Sequence, residues 1–296
     1  MTGSAAQRLW QLPDELLIDS AMARRIIAEF LRAHLRQTGF ERAVLGLSGG
    51  IDSALVAYLV ADVVGADNLL CLMLPYQTSS PASRADAEQV VRDLGCRSAV
   101  VDITPIVDGY FDAALAAVEG PPAGEVSRLR LGNFAARARM AVLYDQSAVW
   151  GGLVMGTSNK TETLLGYTTI FGDNAAALQP IGDLYKSQVR QLSAEIGVPE
   201  QILRKPPTAD LWAGQTDEQE VGLAYAEIDR ILYWLVDRRR PAADVVALGV
   251  AAEKVERVMA LIAGSEFKRQ VAPIAKVSPR TIGVDYLYPR RRPRGG

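Results

Sequence analysis

The residues best suited to chemistry stand together in Leu45-Gly46-Leu47-Ser48-Gly49-Gly50-Ile51-Asp52-Ser53. This string follows the apolar run Ala43–Leu47 and precedes a helix-like stretch from Ala54 to Val64. Glycines there let the backbone turn sharply and approach a ligand closely. The free N–H groups of a helix start, joined by the hydroxyls of Ser48 and Ser53, make an anion site. No lysine follows the glycines, so the string is not the Walker A loop, and its spacing is not G-x-G-x-x-G. An aspartate in an anion site is paradoxical unless its carboxylate holds a magnesium ion shared with phosphates, which is the role expected of Asp52.

Three further clusters carry polar groups in suggestive places. Gly156-Thr157-Ser158-Asn159-Lys160-Thr161-Glu162 follows the apolar run Gly152–Gly156. It therefore belongs at the same carboxyl edge of a sheet as Ser48, the edge at which open α/β sheets bind ligands, and Glu162 is a candidate second metal oxygen. Gly172-Asp173-Asn174 and Pro180-Ile181-Gly182-Asp183-Leu184-Tyr185-Lys186 add Asp173, placed to meet a metal or polarise a substrate, and Lys186, placed to reach a phosphate. The stretch Lys205–Glu218 is rich in Pro, Gly and polar residues yet includes Leu211 and Trp212, as in a loop that closes over a ligand. Taken singly, each cluster also fits a plainer reading: a helix cap, surface charges, or a loop tucked onto the core.

These clusters need elements to position them. The pattern predicts a helix from Asp14 to about Gln37, strands at Ala43–Leu47, Leu69–Leu74, Ser98–Ile103 and Gly152–Gly156, and a fifth strand at Leu178–Ile181. Helices are expected at Ala54–Val64, Ser83–Leu94 and, long and rich in small residues, Leu129–Val149. Pro121, Pro122 and Gly124 mark a loop. Short apolar runs without alternation imply strands covered on both faces, with helices as crossovers. The reading is a doubly wound α/β fold, a parallel sheet flanked by helices, in a single domain over 1–296. Its core spans about 19–289, and 290–296 form a basic tail. From Pro199 the chain is helical and loop-rich, with no linker that would set it apart.

Composition narrows the function classes. Of 296 residues, 49% are hydrophobic and 22% charged, a globular balance. The formal net charge of −2 provides no global field for nucleic acid. The one histidine, His34, lies in the helical pattern Ile26-Ile27-Phe30-Leu31-Leu35, so a histidine relay or histidine-built zinc site is excluded. Any divalent metal must be held by oxygen. Cys71 and Cys96 sit beside apolar runs and read as buried thiols of a reducing compartment. No apolar stretch approaches the roughly 18 to 20 residues of a membrane span, and the N-terminus has no signal-peptide pattern. The expectation is a cytoplasmic protein.

Ser48-Gly49-Gly50-Ile51-Asp52-Ser53 resembles the pyrophosphate-binding loop of the N-type ATP pyrophosphatases, which adenylate an acid and pass it to an amine. With the segments 156–162, 180–186, 205–218 and 278–288, the resemblance narrows to the ammonia-dependent NAD synthetases, over about 19–289. It implies an adenine nucleotide alpha hydrolase-like fold and a ligase that adenylates deamido-NAD with ATP, releases pyrophosphate, and lets ammonia displace AMP. By the resemblance Gly46, Leu47, Ser48, Gly49, Gly50, Ile51, Asp52 and Ser53 bind ATP phosphates, and Thr157, Lys186 and Thr208 contact ATP. Asp52 and Glu162 are the Mg2+ ligands it implies; Arg137 and Lys268 meet deamido-NAD, and Asp173 lies by the reacting carboxylate as a metal ligand or guide for ammonia. Many ammonia-dependent members carry Lys and Asp where this chain has Ile170 and Ala177, and His where it has Phe267. The resemblance also implies a homodimer built on the long helix. No nitrilase-like glutaminase domain has room here, so free ammonia is the expected donor, with a separate glutaminase partner left open. Another adenylating amide ligase with a different acid is the alternative.

Overall fold

The computed structural model describes residues 13–117, 127–206, 221–282 and 285. The chain does not begin with one long helix. Asp14–Leu16 form a 3-10 turn, and α1, Ser20–Thr38, starts only after Asp19, which sits in extended backbone and accepts the Met22 N–H at 2.9 Å. That side-chain cap satisfies a donor the first turn would leave orphaned, and it sets the boundary.

From there strands and helices alternate. β1 (Arg42–Gly46), α2 (Ile51–Val64), β2 (Leu69–Met73), α3 (Pro81–Leu94), β3 (Arg97–Val100), α4 (Thr104–Ala117), α5 (Arg128–Trp150) and β4 (Gly152–Met155) follow in turn. Then come α6 (Lys160–Leu165), α7 (Lys186–Ile196), α8 (Glu200–Arg204), α9 (Tyr225–Leu232), α10 (Ala242–Ala247) and α11 (Ala252–Gly264). Among the described residues the sheet has four parallel strands in the order β3-β2-β1-β4. Ala43 on β1 registers with Leu69 on one side and Leu153 on the other. The chain winds away from β1 through β2 and β3, then returns to β1's other edge as β4. The reversal puts a topological switch point between the carboxyl ends of β1 and β4.

Two expectations about strands need correction. Leu178 makes a single parallel bridge to Met155, and 178–181 is not a fifth strand. Pro180 has no N–H to extend the ladder. β3 stops at Val100 and is exposed along its length, so it is an edge and not a strand covered on both faces.

The sheet is covered on two sides, as a doubly wound fold requires. Ala43 and Leu45 of β1 pack with α1, α2 and α7 residues such as Leu31, Leu55 and Leu192, whereas Val44 and Leu72 face Ile103, Val107, Phe111 and Ala135 of α4 and α5 and the approach to them. α2 is buried over most of its surface up to Val60, with Ala54, Leu55, Val56 and Ala57 fully enclosed and only Asp62 of its last turn exposed. A helix apolar on every side belongs inside a core. A third apolar cluster joins Leu16, Leu165 and Tyr185 to Ile228, Ile231, Leu232 and Val258. It fastens α9 and α11 against α6 and the start of α7, so the C-terminal helices brace the elements that carry Glu162 and Lys186.

Candidate functional site

The turn after β1 is ordered by its own side chains. Ser53 Oγ donates to the Gly50 carbonyl at 3.0 Å and accepts the Ser48 N–H at 3.2 Å. Its one proton is thereby used, so the 3.1 Å contact between the two hydroxyls is donated by Ser48. Ser53 thus shapes the turn from a buried position. Gly49 has φ +78°, and a Cβ there would lie 1.9 Å from the Ser83 carbonyl oxygen. Only glycine lets the turn lie against the start of α3. Gly50, the extended N-cap, donates its N–H to Ser48 Oγ at 3.2 Å, and the N–H groups of Ile51 and Asp52 in the first turn of α2 have no intrahelical partner.

A parallel device follows β4. A Cβ on Gly156 would lie 2.2 Å from Gln179 Oε1, so the chain passes close beneath that side chain. Asn159, fully buried, caps α6 by accepting the Glu162 N–H at 3.0 Å and donates to Asp52 Oδ1 at 2.8 Å. One amide thereby fixes the Gly-rich turn to the helix carrying Glu162.

Lys186 joins the two turns. Its Nζ lies 2.5 Å from Asp52 Oδ2 and 2.9 Å from Glu162 Oε1, and the side chain is 3% exposed. Burial alone would lower its pKa; the charges and hydrogen bonds of Asp52 and Glu162 outweigh that and raise it. The lysine is therefore cationic, and the trio sums to one negative charge. That surplus, in hard carboxylate oxygens, fits a magnesium ion that takes one or two carboxylates and completes its shell with phosphate oxygens and water. Among the described residues no group of three or more His, Cys, Asp or Glu side chains forms an all-protein metal cage.

These residues line a cavity of about 540 Å³ at the switch point. Gly46, Leu47, Ser48, Gly50, Ile51, Asp52 and Ser53 form one wall, and Thr157, Glu162, Asp173 and Lys186 others. Gly49 faces Ser83 and is absent from the lining. Thr208, Leu211 and Trp212 lie outside the described residues. The structure adds groups to which the sequence reading gave no role: Arg84 and Arg139 line the cavity, as does Lys205, whose Nζ donates to Ser83 Oγ at 2.9 Å and pairs with Asp86 at 3.0 Å.

Arg137 and Lys268, expected beside deamido-NAD, make hydrogen bonds to backbone carbonyls. Neither lines the cavity. Arg137 Nε and Nη2 both donate to the Ile170 carbonyl, at 3.3 and 3.2 Å, and Lys268 Nζ donates to the carbonyls of Gly166 and Thr168, each at 2.7 Å. Both cations hold the 166–173 segment, which places Tyr167, Thr168, Thr169, Gly172 and Asp173 on the wall. Within it Phe171 is exposed and held at φ 57°, a costly conformation for a bulky residue. Asp173 Oδ1 accepts the Thr169 N–H at 2.6 Å. The carboxyl opens to the cavity; enclosing walls raise its pKa, opposed by backbone N–H donors and the Lys268 charge. Partial burial lowers that of Lys268, opposed by Asp173. Phe267 is exposed, and Ile170 and Ala177 offer no charge.

The cysteines and histidine stand apart from this chemistry. Cys71 and Cys96 are buried with their sulfurs 3.7 Å apart, and hydrogen bonding between them together with burial pushes the Cys71 thiol up. Neither lines the cavity. His34 Nδ1 is 2.9 Å from the Phe30 carbonyl, one turn earlier on α1. No described helix is long and apolar enough to cross a membrane.

Comparison with known proteins agrees with this geometry. A family profile described as NAD synthase matches residues 23–272. The chain is 50% identical over 275 residues to an NH(3)-dependent NAD(+) synthetase of Trichlorobacter lovleyi, covering 93% of this chain and 97% of that one. Identity to the protein of the same name from Chlorobaculum parvum is 45% over 278 residues, with 94% and 97% covered. Among solved structures, an NMN synthetase from Francisella tularensis superposes with TM-score 0.76 at 31% identity, covering 88% of this chain and 99% of that one. An NH3-dependent NAD synthetase from Campylobacter jejuni superposes with TM-score 0.73, also at 31% identity, covering 88% and 100%.

Proposed function

The chain belongs to the NAD synthase family, and we propose that its cavity carries out the ammonia-dependent reaction of that family in the following way. The protein is a ligase that uses ATP to convert the nicotinate carboxylate of deamido-NAD into the amide of NAD, with ammonia as nitrogen donor. A carboxylate is a poor electrophile and oxide a poor leaving group. Transfer of AMP onto the carboxylate solves both problems: a carboxylate oxygen attacks the α-phosphorus and pyrophosphate leaves. Ammonia then adds to the acyl carbon of the adenylate, loses a proton, and expels AMP.

The observation that carries this reading is the Lys186 ammonium held between Asp52 and Glu162 inside a switch-point cavity. The first-turn N–H groups of Ile51 and Asp52 receive the phosphates that leave as pyrophosphate, supported by the dipole of α2, and the Ser48 hydroxyl joins them once it turns from Ser53 Oγ. Lys186 adds a fixed positive charge at the same edge, and Thr157 a hydroxyl. Asp52 and Glu162 would hold Mg2+, which when bound neutralises charge that builds on the pyrophosphate. Asp173 also lines the cavity, where its carboxylate attracts ammonium and accepts a proton as the amine adds. No covalent nucleophile is required; positioning and electrostatics supply the rate. Arg137 and Lys268 shape the dinucleotide side by holding the carbonyls of Gly166, Thr168 and Ile170. Thr208 is assigned to ATP by the resemblance alone.

We also assign the protein to the cytoplasm and to a two-fold homodimer. Supporting the dimer, α5 exposes the apolar residues Leu129, Tyr144 and Val149, and Val100, Ile106 and Tyr110 are exposed as well. Incubating the pure protein with ATP, Mg2+, ammonium and either deamido-NAD or the mononucleotide acid corresponding to NMN tests the substrate. The second acid is included because a structural neighbour bears the name NMN synthetase. The reading expects deamido-NAD to be the better substrate by kcat/KM; preference for the mononucleotide would overturn it.

A further inference from the structure

Asp229 lies on α9, outside every motif that resembles a nucleotide site, yet it is fully buried. Three donors converge on its carboxylate. Thr161 Oγ1 reaches Oδ1 at 2.5 Å, while the Ser187 N–H and Oγ reach Oδ2 at 2.7 and 2.6 Å. The direction of the first bond is fixed by the backbone. Lys186 N–H donates to Thr161 Oγ1 at 2.9 Å, so the threonine proton must point to Asp229. Both carboxylate oxygens are acceptors in this network.

The donors belong to two elements. Thr161 is on α6, next to Glu162, and Ser187 is on α7, next to Lys186. One side chain on a third helix thus clamps the starts of the two helices whose side chains meet at 2.9 Å in the cavity. Tyr225, one turn before Asp229 on α9, lies on the same side, with Lys186 Nζ 5.3 Å from its ring centroid. The rest of α9's inward face is apolar, with Ile228, Ile231 and Leu232 enclosed. A carboxylate in such a stripe is costly unless it is fully satisfied and its geometry is used.

From this we infer that Asp229 is a positioning residue for the reaction, fixing the backbone of Lys186 and Thr161 so that the Lys186 ammonium and the Glu162 carboxylate are held at the phosphate end of the cavity. This rests on the reading of Lys186 as an ATP contact. Asp229→Asn keeps the shape but turns one acceptor oxygen into an NH2 that faces a donor.

The test is calorimetric titration of the full chain with ATP and Mg2+, comparing the parent, Asp229→Asn, Lys186→Ala and the double variant. The expected result for Asp229→Asn is an unchanged stoichiometry and a Kd raised about tenfold, as for a buried network with one member lost. In the Lys186→Ala background the same change should have a clearly smaller effect than in the parent, because only its route through Thr161 to Glu162 remains. A lowered stoichiometry with unchanged Kd would mean that Asp229 only keeps molecules folded, and would overturn the inference. An Asp229→Asn effect that persists undiminished beside Lys186→Ala would overturn the relay alone. Lys186→Ala binding ATP like the parent would overturn the ATP reading of Lys186 as well. If Asp229→Asn has no cooperative melting transition, Thr161→Val, which removes the hydroxyl between Lys186 N–H and Asp229, is read by the same titration with the same outcomes.

Discussion

Asp52, Glu162 and Lys186 form one electrostatic unit, and substitutions within it should not behave as independent losses. Removing a carboxylate leaves a buried ammonium less compensated and also removes an oxygen from the proposed magnesium site. Asp52→Asn and Glu162→Gln should therefore cut kcat well beyond threefold, which is about 0.7 kcal/mol of barrier, while metal-free ATP still binds. Steady-state kinetics beside a metal-free titration checks this; a rate within threefold of the parent removes that residue from the metal site. Asp173 also lines the cavity, and Asp173→Asn should raise the KM for ammonium more than that for ATP. Ser53→Ala should act on the fold: it leaves the Ser48 N–H and hydroxyl without their acceptor, at about 1–3 kcal/mol by melting.

At the scale of elements, the sequence disclosed the site edge better than the sheet that carries it. The Gly-rich turn was legible because Gly49 is required by its φ of +78° and by contact with Ser83, and such a requirement leaves a mark in residue type. Asp229 was not legible as a clamp: its partners lie 68 and 42 residues away, and only its place in an apolar helical stripe hints at them. Leu178–Ile181 looked like a strand because apolar composition cannot report that Pro180 ends the ladder. Motif likeness suggested Arg137 and Lys268 for the dinucleotide but carried no sign of their hold on backbone carbonyls, which depends on how the 166–173 segment folds. Gly49→Ala should abolish the turn's fit on α3 and lower both stability and ATP binding; an unaffected melting temperature would contradict the packing described. The exposed apolar residues of α5 predict association through that helix. Sedimentation at micromolar concentration should give a dimer, and a fully active monomer would remove the dimer reading.

For the molecule as a whole, the topology explains why distant motifs converge. Winding outward from β1 and returning beside it brings residues near 50 and near 160 to one edge, and the C-terminal helices lock 160–165 and 186–187 from behind. Among the described residues Cys71 and Cys96 are buried together away from the cavity, and His34 bonds within α1. Ammonium should sustain turnover in the absence of glutamine, with a rate that rises with pH as the free amine, the form with a lone pair, becomes more abundant. The most direct measurement of the central claim is the product balance of the purified chain given ATP, Mg2+, deamido-NAD and ammonium. The account predicts NAD, AMP and pyrophosphate in equal amounts; ADP and phosphate, or AMP without NAD, would contradict it.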